Sequence, residues 1–101
     1  MKKSLLYFYT DDCAPCRVME RLLAELLAEH AGDELLQKID VAKFPGIAER
    51  FGVSKVPALL LFEDGIIADV CLGAVSKEYL TTFLSPLREE AATRNDADSS
   101  R

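Results

Sequence analysis

Residues 7–22 read YFYTDDCAPCRVMERL: an aromatic, apolar run that breaks at Thr10, Asp11 and Asp12 and restarts as a helical pattern at Cys13 and Cys16. The apolar part belongs to SLLYFY, 4–9. A short run this rich in large apolar side chains suits a strand buried on both faces, hence a central strand. Beyond the cysteines, Met19, Leu22, Leu23, Leu26 and Leu27 recur at helical spacing. Glu20, Arg21, Glu25 and Glu29 take the other face, and Gly32 offers a stop. The stretch therefore predicts strand, loop and amphipathic helix, with Cys13 at the helix N-terminus.

The rest of the chain extends this pattern. LLQKIDV, 35–41, reads as a second strand, and FPGIAERFG, 44–52, as a short helix with Pro45 in its first turn and Gly52 past its end. VPALLLF and IIADVCL are strands joined through Glu63, Asp64 and Gly65, a hairpin signal. After Gly73, Ser76 can cap a last helix that carries Tyr79, Leu80, Phe83, Leu84 and Leu87 inward. The order is β-α-β-α-β-β-α. Crossovers require parallel pairing and a hairpin antiparallel pairing, so an α/β fold is expected: a four-stranded mixed sheet flanked by three helices, with both faces covered.

At 101 residues, half of them apolar, the chain supports one domain, placed at 1–92, before a polar tail at 93–101 that is expected to be disordered. A net charge of −5 speaks against nucleic acid or an anionic membrane as partner. No apolar run approaches the roughly 20 residues that span a bilayer. Met1-Lys2-Lys3 and the short apolar stretch after it run into TDDC rather than a small-residue cleavage site, so a cytoplasmic location is expected. There, a close pair of cysteines is more often chemical than structural.

The thiolate is the reactive form of cysteine, and the unpaired N–H groups and dipole of a helix N-terminus stabilise it. Cys13 is placed there. Arg17 adds a cation, while Asp11 and Asp12 oppose it as like charges near a thiolate. Two intervening residues allow Cys16 to resolve a mixed disulfide formed on Cys13, and Pro15 is tolerated in a first turn. Structural thiols or half of a zinc site are the alternatives. Zinc would enlist Cys71 and His30, but a helix of some 17 residues separates its ends by about 25 Å, so His30 and Cys13 cannot share an ion. No metal is expected. Cys71 alternates with Asp69 on a short edge strand, which predicts a surface or half-buried thiol.

With these elements in place, YFYTDDCAPCR resembles the strand, active-site loop and helix start of the thioredoxin family, with Cys-Ala-Pro-Cys for the usual Cys-Gly-Pro-Cys. KIDVAKFPGIAERFGVSKVPALLLFEDG is similar to the family's Ile-Asp strand end, short helix, and Val-Pro dipeptide before an apolar strand. Gly73 matches the glycine that closes the last strand. The resemblance covers residues 4 to about 87. It implies a thioredoxin fold in which Cys13 attacks and Cys16 resolves, Pro57 is cis, and Ala14, Pro15, Val56, Pro57 and Gly73 form a groove for a partner's extended backbone.

The family's N-terminal strand and helix have no counterpart in this sequence. The tryptophan before the first cysteine is Asp12, the buried aspartate is Tyr7, and its paired lysine is Leu36. The thiol pair is untouched. The expectation is thus a thiol-disulfide oxidoreductase that reduces protein disulfides, with no cofactor beyond the Cys13–Cys16 couple. Its expected partners are disulfide-containing proteins and a thioredoxin reductase-like electron donor, and the protein is expected to be a monomer. The alternatives are a non-catalytic binding module and a glutathione-dependent, glutaredoxin-like enzyme.

Overall fold

A computed structural model describes residues 2–28 and 36–87. The expectations for His30, Gly32 and the tail at 93–101 lie outside the described residues. Strands β1 (Lys3–Tyr9), β2 (Leu36–Asp40), β3 (Ala58–Glu63) and β4 (Ile66–Leu72) alternate with helices α1 (Ala14–Ala28), α2 (Pro45–Arg50) and α3 (Lys77–Phe83) in the expected order. The sheet order is β2-β1-β3-β4. β2 runs parallel to β1, while β1–β3 and β3–β4 are antiparallel.

β1 is central because Leu5, Leu6, Tyr7 and Phe8 are all buried, and alternate residues of a strand face opposite sides. Leu5 and Tyr7 join Leu59 and Leu61 of β3 beneath α1 and α3, where Met19, Leu23, Leu26, Leu27, Leu80 and Phe83 pack on them. Leu6 and Phe8 join Ala58 and Leu60 on the other face, beneath Ala48 of α2. Full burial of each such large side chain contributes about 1.5–3 kcal/mol. The sheet is thus held from both sides, and the ends of its strands become a fixed frame.

Local chemistry sets the boundaries. Asp40 ends β2 as an Asx turn, its Oδ1 accepting from Ala42 N at 2.9 Å. Pro45 opens α2, and the helix ends in a Schellman motif: Gly52 N donates to Glu49 O and Val53 N to Ala48 O. In the β3–β4 hairpin both Asp64 (φ 53°) and Gly65 (φ 83°) take positive φ, as a two-residue type I′ turn requires. Ser76 caps α3, its Oγ accepting from Tyr79 N at 3.1 Å.

Four expectations are corrected. Of the two crossovers only β1-α1-β2 joins parallel strands: β2 ends beside Tyr9 and β3 starts beside Phe8, so the short α2 leaves the chain at the same end of the sheet and β3 enters antiparallel on the other side of β1. Tyr79 is 55% exposed, because the inward stripe of the last helical segment runs through Leu80, Phe83, Leu84 and Leu87, and the position before Leu80 is turned about 100° away. Cys71 is buried: β4 is an edge in its hydrogen bonding, but α3 covers the face that carries Cys71 opposite Leu59. Glu20 does not lie on the outer face of α1. It is half-buried and reaches Tyr7, since four residues beyond the buried Cys16 it falls on the same side of the helix.

Candidate active site

Three segments meet at one end of the sheet, and the strand register shows how. Phe8 pairs with Ala58, so the chain leaving β1 toward the cysteines passes the chain entering β3 from Pro57. Ala58 also pairs with Leu72, which sets Gly73 opposite Pro57. Gly73 N donates to Pro57 O at 2.7 Å with Gly73 at φ 83°, a backbone conformation open to glycine and strained for other residues. The Val56–Pro57 peptide bond is cis, as the resemblance implied. Val56 and Gly73 are partly exposed and Pro57 is buried. Ala14, Pro15, Val56, Pro57 and Gly73 therefore come to the same end of the sheet.

Cys13 immediately precedes α1, and Cys16 closes the first turn. The two are joined as a disulfide, with Cα atoms 5.2 Å apart. Cys16 N donates to Cys13 Sγ at 3.1 Å, so one of the helix's unpartnered N–H groups already points at that sulfur. Cys13 is partly exposed, whereas Cys16 is 0% exposed. Ala14 and Pro15 between them are exposed.

Around this pair, Asp11 and Asp12 are exposed. The Arg17 Nη2 donates to the Asp11 carbonyl at 3.0 Å, bracing the loop. Behind the pair, Tyr7 occupies the core at 0% exposure, its ring stacked on Tyr9 with centroids 5.7 Å apart. Its hydroxyl lies 3.0 Å from the Cys16 carbonyl and 3.2 Å from Glu20 Oε2. Burial raises the Tyr7 pKa well above the ordinary phenol value, with the Glu20 charge and hydrogen bond adding to it. Glu20, Leu36 and Lys38 border a cleft of about 320 Å³ beside α1. Sequence reasoning missed Glu20; its spacing of four from Cys16 was the available signal. Burial, and secondarily Asp69, also pushes the Cys71 thiol up. Among the described residues no group of His, Cys, Asp or Glu could hold a metal ion, and no helix is long and apolar enough to cross a membrane.

A disulfide closed across the first turn of a helix, one sulfur reachable and the other enclosed, is the working part of a thiol-disulfide oxidoreductase. The comparisons agree. A family model described as Thioredoxin matches residues 1–86. Thioredoxin C-2 of Corynebacterium nephridii is 34% identical over 80 residues, covering 79% of this chain and 74% of its own. A thioredoxin of Staphylococcus aureus is also 34% identical over 80 residues, covering 79% and 77%. Among solved structures, a mutant thioredoxin from Halobacterium salinarum NRC-1 superposes with a TM-score of 0.73 at 34% identity, over 85% of this chain and 74% of that one. The chain belongs to the thioredoxin family, and its enzymatic activity is thiol-disulfide exchange.

Proposed function

We propose that the protein reduces disulfides of other proteins, with Cys13 as the attacking sulfur and Cys16 as the resolving one. The observation that supports this division is the contrast between a partly exposed Cys13, whose Sγ accepts from Cys16 N, and a fully enclosed Cys16. In the reduced protein the Cys13 thiolate attacks one sulfur of a substrate disulfide. That S–S bond breaks, a mixed disulfide forms, and one substrate thiolate leaves. The Cys16 thiolate then attacks Cys13 Sγ and releases the second substrate thiolate. The protein has lost two electrons and the substrate has gained them.

A dithiol donor such as a thioredoxin reductase-like protein returns the couple to its reduced form. The electrons reside in the cysteine pair itself, so no bound cofactor takes part. A reducing compartment such as the cytoplasm suits this direction of flow, and a monomer suffices because one chain supplies both sulfurs. Ala14, Pro15, Val56, Pro57 and Gly73 form the groove, with the backbone of Val56 available to pair with an extended substrate segment.

The test is to react each single variant with a protein disulfide, block free thiols and separate products on non-reducing gels. Cys16→Ser should accumulate a mixed disulfide on Cys13 because resolution is lost. Cys13→Ser should give none, since the enclosed thiol cannot reach an intermolecular bond. Adducts mainly on Cys13→Ser would reverse the assignment.

A further inference from the structure

The Tyr7 hydroxyl poses a question of proton count. It is enclosed between β1 and α1 with two oxygens within hydrogen-bond distance, the Cys16 carbonyl at 3.0 Å and Glu20 Oε2 at 3.2 Å. A phenol has one proton, a carbonyl only accepts, and an ionised carboxylate only accepts. With Glu20 ionised, Tyr7 can therefore serve one oxygen fully and not both. With Glu20 protonated the count closes: the carboxyl donates to the phenol oxygen, and the phenol donates to the Cys16 carbonyl. Ionisation of Tyr7 offers no escape, because burial first and the Glu20 charge second keep its proton in place.

We propose that Glu20 is a positioning residue for Cys16 that acts through Tyr7, its protonation deciding whether the Cys16 carbonyl keeps the phenol's hydrogen bond. This rests on the reading of Cys16 as the resolving sulfur. The bond matters because the Cys16 carbonyl belongs to the peptide directly after the resolving residue, in the first turn of α1, where the phenol is a second donor beside the helix's own N–H. A buried carbonyl that gains or loses a donor shifts the turn's preferred geometry. Among the described residues the titratable and charged groups around Glu20 are few. Tyr7, with Tyr9 stacked on it, faces it from β1, and Lys38 of β2 borders the same cleft. On α1, Arg17 is engaged with the Asp11 carbonyl, Arg21 is exposed, and Glu25 pairs with Lys77 of α3 at 3.1 Å.

The experiment has two readouts on the reduced, full-length protein, in wild type, Glu20→Gln and Tyr7→Phe. The first is the ¹³C shift of the Cys16 carbonyl, in cysteine-labelled protein, followed across the carboxyl titration range. Wild type should titrate. Glu20→Gln, whose amide can donate to Tyr7 at every pH, should stay at the acid-limit shift. Tyr7→Phe, isosteric in the core, should be flat at a shift displaced toward the non-bonded value. The second readout is the rate at which Cys16 resolves a preformed mixed disulfide on Cys13. Between the two limits of the carboxyl titration, wild type should change on the order of two- to tenfold beyond the dependence left in Glu20→Gln. A carbonyl that titrates alike in wild type and Glu20→Gln overturns the coupling. A coupling that is present while the wild-type and Glu20→Gln rate profiles coincide overturns the positioning role. If Cys16 resolves nothing in any of the three proteins, its assignment as resolving sulfur fails, and the carbonyl shift still reports on the coupling separately.

Discussion

Cys13 and Cys16 differ in what surrounds them more than in chemistry. One sulfur accepts the Cys16 N–H at the open end of α1, and the other sits in the core against the sheet. Nearby charge adjusts the balance. Asp12 is exposed and next in sequence to Cys13, so its carboxylate disfavours the Cys13 thiolate. Removing it should stabilise the reduced form and make the couple more oxidising. Exposure to solvent keeps the effect small, on the order of ten millivolts where about 30 mV corresponds to a tenfold change in equilibrium constant. Equilibration of Asp12→Asn against a glutathione buffer measures it, and a shift toward a more reducing potential would contradict this sign. The pair was legible in the sequence because a three-residue spacing at a strand-to-helix junction is a local signal. Glu20 was not. A charged residue on an amphipathic helix is assigned outward by its type, and only the position of Tyr7 across the gap shows why this one turns in.

At the level of elements, the most local devices were the most legible. The Asp64-Gly65 turn, Pro45 and Gly52 around α2, and the Ser76 cap each depend on a few adjacent residues, and each forms where the sequence indicated. Burial of Cys71 and exposure of Tyr79 were misjudged because they depend on where α3 lands, which no short window encodes. The Ser76 cap is what starts that landing: its Oγ takes the Tyr79 N–H, and one turn later Leu80 and Phe83 enter the core beside Cys71. Ser76→Ala should cost about 1 kcal/mol of stability, visible as a lower urea midpoint with an unchanged slope, and Ser76→Asp should restore most of it. An unchanged midpoint in Ser76→Ala would show that packing alone holds the helix start.

For the whole molecule, the buried titratable groups set how stability responds to alkali. Tyr7 and Cys71 both have pKa values raised above their ordinary 10.0 and 9.0, chiefly by burial. In each case the unfolded chain loses its proton first. Folded protein then binds more protons than unfolded protein, and stability falls with rising pH. The stability is intact below pH 9 and is lost above it, first through Cys71 and then through Tyr7, at up to about 1.4 kcal/mol per pH unit for each group. Urea midpoints of the oxidised protein between pH 8 and 11 measure this, and Tyr7→Phe should flatten the upper part of the decline. A midpoint that stays level up to pH 11 would mean that both groups reach solvent in the folded protein. At this scale the four-stranded mixed sheet with a central β1 was legible, but the side and direction of β3 were not, because a crossover through the six-residue α2 does not carry the chain back to the end of the sheet where β1 starts.

The disulfide spans a single turn at the tip of a helix whose inner face is fixed by Met19, Leu23, Leu26 and Leu27. Opening it should leave that anchorage in place, so the two redox forms are expected to share one outline. A partner cannot tell the charged carrier from the spent one by shape at a distance. It must come close enough to probe the sulfurs and the few peptide groups around them. Amide spectra of the two redox forms should accordingly differ around residues 11–17 and the loops facing them, and coincide along β4 and the outer side of α3. The protein's message to its partners is then written within one turn of backbone and is read only by contact.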